Sequence, residues 1–172
     1  MNRLSVVICT ATTLLLIGAA PARSAETAPS PPSKTQIVGT WMYVSVDLVQ
    51  PDGSRVPLFG PNPRGQASFD RNGRYILMTA RAGQVKFASS NRMEGTPAEN
   101  KAVVQSSIAH FGRYSIDEAN KTITFHIETS TFPNWNGTEQ TRPFTLTGDR
   151  LTWRTPASTG GGTAEVVLTR VK

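Results

Sequence analysis

Residues 122–129 alternate without a break: Ile123, Phe125 and Ile127 interleave with Thr122, Thr124, His126 and Glu128. A period of two gives a strand with one apolar and one polar face, and no helix sorts these residues that way. Runs of this kind recur along the chain between turn signals. The expected strands are residues 38–49, 66–70, 74–81, 84–88, 110–116, 122–129, 139–147, 150–155 and 164–171. In the first, Val44, Val46 and Leu48 alternate as one face. Arg71-Asn72-Gly73 marks a hairpin, because glycine takes a positive φ without a steric cost. One helix is expected, opening at Thr96-Pro97-Ala98-Glu99, a capping box with proline at the first helical position. It continues through Ala102, Val103, Val104 and Ile108. About eight or nine short strands without βαβ alternation predict an all-β antiparallel sandwich or barrel.

The first residues belong to a different problem. Arg3 supplies a positive start, residues 4–20 are apolar apart from Ser, Thr, Cys and Gly, and small residues follow at Ala20-Pro21-Ala22. This is the order of a secretory signal peptide. The apolar run falls short of the roughly 20 residues a spanning helix needs, which argues against an uncleaved anchor. The expected division is a signal peptide at 1–22, a Pro/Ser-rich tether at 23–35 and one domain at 36–172. The address is then exported, periplasmic or secreted, with no membrane association after cleavage. Cys9 is the single cysteine, so the mature chain has no disulfide, thiolate metal site or cysteine nucleophile. The net charge of +6 comes from scattered lysines and arginines rather than a run. That reads as a solvated basic surface and not as a nucleic-acid site.

Gly39-Thr40-Trp41 opens the first long strand. It resembles the Gly-x-Trp of lipocalins, whose Trp closes one barrel end under an Arg near the end of the last strand. Arg170 sits where that Arg would be. Further segments match the bacterial lipocalin-like domain family in order: residues 59–65, 70–74, 111–114, 132–138 and 148–151. The resemblance implies an up-and-down β-barrel of about eight strands with one short α-helix. It assigns Gly39, Trp41 and Arg170 to barrel closure and carries no single activity. Closure would leave no exposed sheet edge and an interior just able to hold a small ligand.

Catalytic chemistry is sparse. The two histidines, His110 and His126, have no metal-binding spacing, so no metal and no cofactor is expected. No Gly-x-Ser-x-Gly occurs. His126 and Glu128 share a strand face and are the candidate acid–base pair, provided that they point inward. Simple burial turns the Ile123, Phe125 and Ile127 face inward instead. Phe132-Pro133-Asn134-Trp135 either lids the barrel mouth, stacking Phe132 and Trp135 on a ligand, or plugs it. The proline-rich residues 57–65 form a second candidate lid. Tyr75, Tyr114 and Arg142 are candidate polar contacts within a pocket; Tyr114 shares a face with His110, and Arg142 with Phe144 and Leu146.

The expected protein is an exported monomer binding a small hydrophobic or amphipathic molecule. Two alternatives stay open. One is a cofactor-free isomerase, cyclase or hydrolase using His126 and Glu128. The other is a protein-binding, inhibitor-like barrel.

Overall fold

A computed structural model describes residues 34–172. The expected signal peptide and residues 23–33 of the expected tether lie outside the described residues. Lys34 and Thr35, the last residues assigned to that tether, begin a single helical turn, α1 (Lys34–Ile37). Its Ile37 is fully buried.

Nine strands follow in one antiparallel sheet: β1 (Gly39–Val49), β2 (Arg55–Pro57), β3 (Arg64–Phe69), β4 (Arg74–Ala80), β5 (Ser107–Asp117), β6 (Thr122–Ser130), β7 (Glu139–Thr147), β8 (Arg150–Thr155) and β9 (Thr163–Arg170). Each of β3 to β9 pairs with its neighbour in sequence, β1 pairs with β3, and β9 returns to pair with β1. Eight strands therefore close on themselves. The short β2 is an addition, joined to β1 through Asp47, Leu48 and Val49. Closure satisfies both edges of every barrel strand, so no disulfide is needed to hold the sheet.

The structure differs from the sequence reading at three strands. Residues 84–88 form no strand, because β4 is already paired on one side with β3 and on the other with β5. Arg55–Pro57 adds the unexpected β2. In β1 the register shifts between Tyr43 and Ser45 against β9. One extra residue at a bulge reverses which face the following side chains occupy. Val44 is thus exposed while Val46 is buried, and the two do not share a face as their spacing implies.

The helix is α2 (Pro97–Ser106), with Thr96 and Glu99 forming the reciprocal capping box. It lies in the connection between β4 and β5. The interior is rich in aromatic rings: Phe69, Phe125, Tyr75 and Trp153 meet one another with centroids 4.8 to 6.4 Å apart. These stacked, tilted and edge-on contacts fill the middle of the barrel with a packed core.

One end of the barrel is sealed. Trp41 is fully buried, and its indole N–H donates to the Ile37 carbonyl at 2.8 Å. The Arg170 guanidinium lies 4.2 Å from the Trp41 ring centroid and donates to the Val38 and Gln36 carbonyls. Gly39 has φ +134°, and a Cβ there would stand 2.9 Å from the Arg170 guanidinium. The backbone angle favours glycine there, and any larger residue would also make the Arg170 guanidinium shift.

Candidate functional site

The opposite end is open and carries the side chains able to do chemistry. Alternation along β7 turns Arg142 inward together with Phe144, while Glu139, Thr141 and Pro143 face out. On β5 the inward set is His110, Gly112 and Tyr114. The bulge in β1 follows Tyr43, leaving that side chain inside the barrel. A second register shift lies between β5 and β6, where Phe111 pairs with Thr129 but Gly112 pairs with Ile127. Glu128 is the extra residue. Beyond it the alternation is reversed, so Ser130 turns inward opposite His110.

Of these, Arg142, His110 and Tyr43 border a cavity of about 50 Å³. Arg142, His110, Tyr43, Thr79, Trp153 and Trp135 give its polar and aromatic lining. Leu58, Phe59, Ile108 and Thr159 also border it, and the same four border an outer groove of about 630 Å³. Val103 and Val104 of α2 and Phe132 complete the apolar side of that groove. The inner space holds a few waters or one compact chemical group; the body of a ligand needs several hundred Å³. The outer groove reaches that volume and the inner cavity does not.

The electrostatics of the inner cavity follow from burial. Arg142 is 3% exposed and has no carboxylate partner among the described residues. Its Nη2 donates to Gln140 Oε1 at 2.6 Å, and its guanidinium lies 4.6 Å from the Phe125 centroid and 5.9 Å from that of Trp135. Desolvation lowers its pKa to about 10, which leaves it cationic at neutral pH. Desolvation, reinforced by the nearby Arg142 charge, pushes His110 down to about 3, so the imidazole is neutral. Burial pushes the Tyr43 and Tyr75 phenols well above their ordinary value. Tyr75 Oη and His110 Nδ1 share a hydrogen bond of 2.7 Å. The cavity thus contains one lasting positive charge amid neutral donors.

The sequence-predicted residues divide between this site and other places. Arg142 and Trp135 line the cavity, Tyr75 supports it through His110, and Phe132 stands at the outer groove. Phe132 and Trp135 pack edge to face at 5.9 Å across a single 3₁₀ turn, Pro133–Trp135. Trp135 also meets His110 edge-on at 5.5 Å. Tyr114 lies elsewhere: its hydroxyl donates to the Asp70 carbonyl at 2.8 Å in the hairpin of the sealed end, and burial pushes it up to about 12.

His126 and Glu128 do not form the anticipated acid–base pair. Both face outward. His126 Nδ1 contacts Glu139 Oε1 at 2.7 Å, and Glu128 takes two hydrogen bonds from Arg74 at 2.6 and 2.9 Å. Glu139 is directly opposite His126 in the ladder. Facing residues lie about 5 Å apart, whereas residues two apart on one strand are separated by about 7 Å, so the cross-strand partner wins. His110, Tyr43 and Trp153 were not singled out from the sequence as site residues. His110 had a visible cue in sharing the Tyr114 face. Tyr43 had one too, in sharing the Trp41 face by alternation ahead of the bulge.

Among the described residues no group of three His, Cys, Asp or Glu side chains is placed to hold a metal ion. No helix among them is long and apolar enough to cross a membrane. No curated protein matches the chain. The family model described as a lipocalin-like domain matches residues 38–171. That span runs from the Gly39 seal to the Arg170 that covers it and takes in all nine strands, so the protein belongs to the lipocalin-like domain family.

Proposed function

We propose that this protein is an exported, monomeric carrier that binds a small hydrophobic or amphipathic molecule in the open end of its barrel. The observation that carries the reading is that the inner cavity and the outer groove share four lining residues, Leu58, Phe59, Ile108 and Thr159. A small cavity bordered by Arg142, His110 and Thr79 adjoins a larger groove at Leu58, Phe59 and Ile108. A concave apolar site with a few convergent polar groups is the usual form of a small-molecule site. The signal-like order of residues 1–22 supports export. The residues on which an enzymatic reading rested, His126 and Glu128, are engaged with surface partners outside the barrel.

The test is a comparison of masses. The full chain is expressed with its own leader, recovered from the periplasm, and weighed in native and in denatured form. A discrete excess mass that disappears on denaturation is expected. Recovery in the periplasm with residues 1–22 removed is expected from the same sample. A native mass equal to the bare polypeptide argues against a tight carrier, and a dimeric native mass argues against the monomer.

A further inference from the structure

Building on the carrier reading, we propose that the ligand is an amphipathic acid. Its carboxylate sits in the inner cavity against Arg142, and its apolar tail lies in the outer groove.

Three buried side-chain polar atoms among the described residues have no hydrogen-bond partner in the protein: Thr79 Oγ1, Arg142 Nε and Trp153 Nε1. All three belong to residues lining the same small cavity. Buried polar groups are almost always satisfied, so three orphans around one space point to something that enters it. Their chemistry is one-sided. An arginine Nε–H and an indole N–H can only donate, and a threonine hydroxyl can donate. The Tyr75–His110 pair adds to this. Between them they hold two protons, the phenol's and one on the neutral imidazole. Their mutual bond uses one, whichever tautomer is present, and the other stays available to donate.

Charge narrows the class further. The side-chain hydrogen bond of Arg142 goes to a neutral amide, and its faces are covered by aromatic rings rather than by an anion. The ion pairs of the described residues use other cations, among them Arg55, Arg74 and Arg154 at the surface. A guanidinium removed from water and left without a counterion is a costly arrangement unless an anion completes it. The cavity lining contains one cation and no carboxylate, which matches a single negative charge. Its volume of about 50 Å³ suits a planar carboxylate. The rest of the molecule must leave past Leu58 and Ile108, where the next surfaces are Phe59, Val103 and Val104. A head of this kind therefore requires an apolar tail.

The experiment uses three probes of matched length: decanoate, decanol and decylamine. Binding to the delipidated full-length mature protein is measured by calorimetry and by tryptophan fluorescence, since Trp135 and Trp153 line the cavity. Decanoate is expected to bind about tenfold or more tighter than decanol, the difference one charge-assisted hydrogen bond makes, with decylamine weakest. Arg142→Met is expected to abolish the preference, so that the variant binds decanoate no tighter than decanol. Its unfolding midpoint is not expected to fall, because methionine fills apolar space and the unpartnered charge is gone. Arg142→Lys keeps a cation and is expected to retain a preference for the acid. The ranking in the unmodified protein decides the matter even if a variant fails to fold. Decanol binding as tightly as decanoate overturns the acid assignment and leaves the carrier reading standing. Binding by none of the three overturns the proposal, and with a bare native mass the carrier reading falls too. A co-purified molecule lacking an acidic group also overturns the proposal alone.

Discussion

At the sealed end the strands are joined by tight turns at residues 70–73, 118–121 and 148–149, whereas at the open end the connections are residues 50–63, 81–106, 131–138 and 156–162. The sealed end uses its polar groups completely. The Trp41 indole, the Tyr114 hydroxyl and the Arg170 guanidinium each reach a backbone carbonyl. The open end does the reverse: Arg142, Trp153 and Thr79 each keep a buried polar atom unpaired. Two arginines in one barrel show the contrast. Arg170 lies over Trp41 with Asp149 3.6 Å from its Nε, and so acts as a clasp. Arg142 also lies over an aromatic ring but has no acid beside it. The same side chain is structural where its hydrogen bonds are satisfied and available for binding where they are not.

Truncating an indole at each end gives the largest expected effect. Trp41→Ala should cost about 3–5 kcal/mol in urea unfolding, the range for emptying a buried tryptophan site. Trp135→Ala, on a half-buried loop turn, should cost about 1 kcal/mol but weaken ligand binding. Equal losses at both ends would erase the distinction between frame and site.

The next contrast is in pH. His110 is protonated near pH 6.5 when unfolded but only near pH 3 when folded, so the unfolded chain binds the extra proton between those values. Stability from this group is intact above about pH 6.5 and falls as the pH drops, by roughly 3 kcal/mol at about pH 4.5. Unfolding curves of His110→Asn should show a shallower acid dependence than wild type by that amount. Identical slopes would mean that the imidazole is not held neutral inside the barrel.

Smaller effects follow. Arg170→Met removes the clasp and should cost about 1–2 kcal/mol, since a desolvated cation–π contact and hydrogen bonds from a charged donor are lost together. The midpoint of thermal unfolding measures it, with no change in ligand affinity expected. Thr96→Ala removes the cap of α2 and should cost about 1 kcal/mol locally. Because α2 makes few contacts outside its own connection, amide exchange in residues 97–106 should quicken while the β6 core stays protected. A global loss of protection would show that the helix belongs to the frame and not to the mouth.

Much of the fold was legible because it rests on local rules. The alternation of Ile123, Phe125 and Ile127 predicted a strand and its inward face, and all three are buried. The Asn72-Gly73 hairpin and the Thr96 capping box were written in residues adjacent in sequence. Expectations failed where the answer depended on a partner strand. Residues 84–88 carry strand-like side chains but meet no free edge. Val44 is outward because β1 bulges against β9, and Glu128 is the extra residue of a second bulge.

The site was legible in fragments for the same reason. Phe132 and Trp135 stood out in an unusual loop segment, Tyr75 and Arg142 as candidate polar contacts, and alternation on β7 set Arg142 beside Phe144. The sequence by itself determined the strand periods, the turns and the helix cap, since each follows from neighbouring residues; the Gly39-Trp41-Arg170 seal was implied by the resemblance to lipocalins and not by local rules. Only the tertiary structure decided that Tyr43 and His110 join Arg142 around one cavity while His126 and Glu128 bind surface partners. Inside and outside of a closed sheet depend on register, and a single bulge, invisible to a period of two, exchanges them.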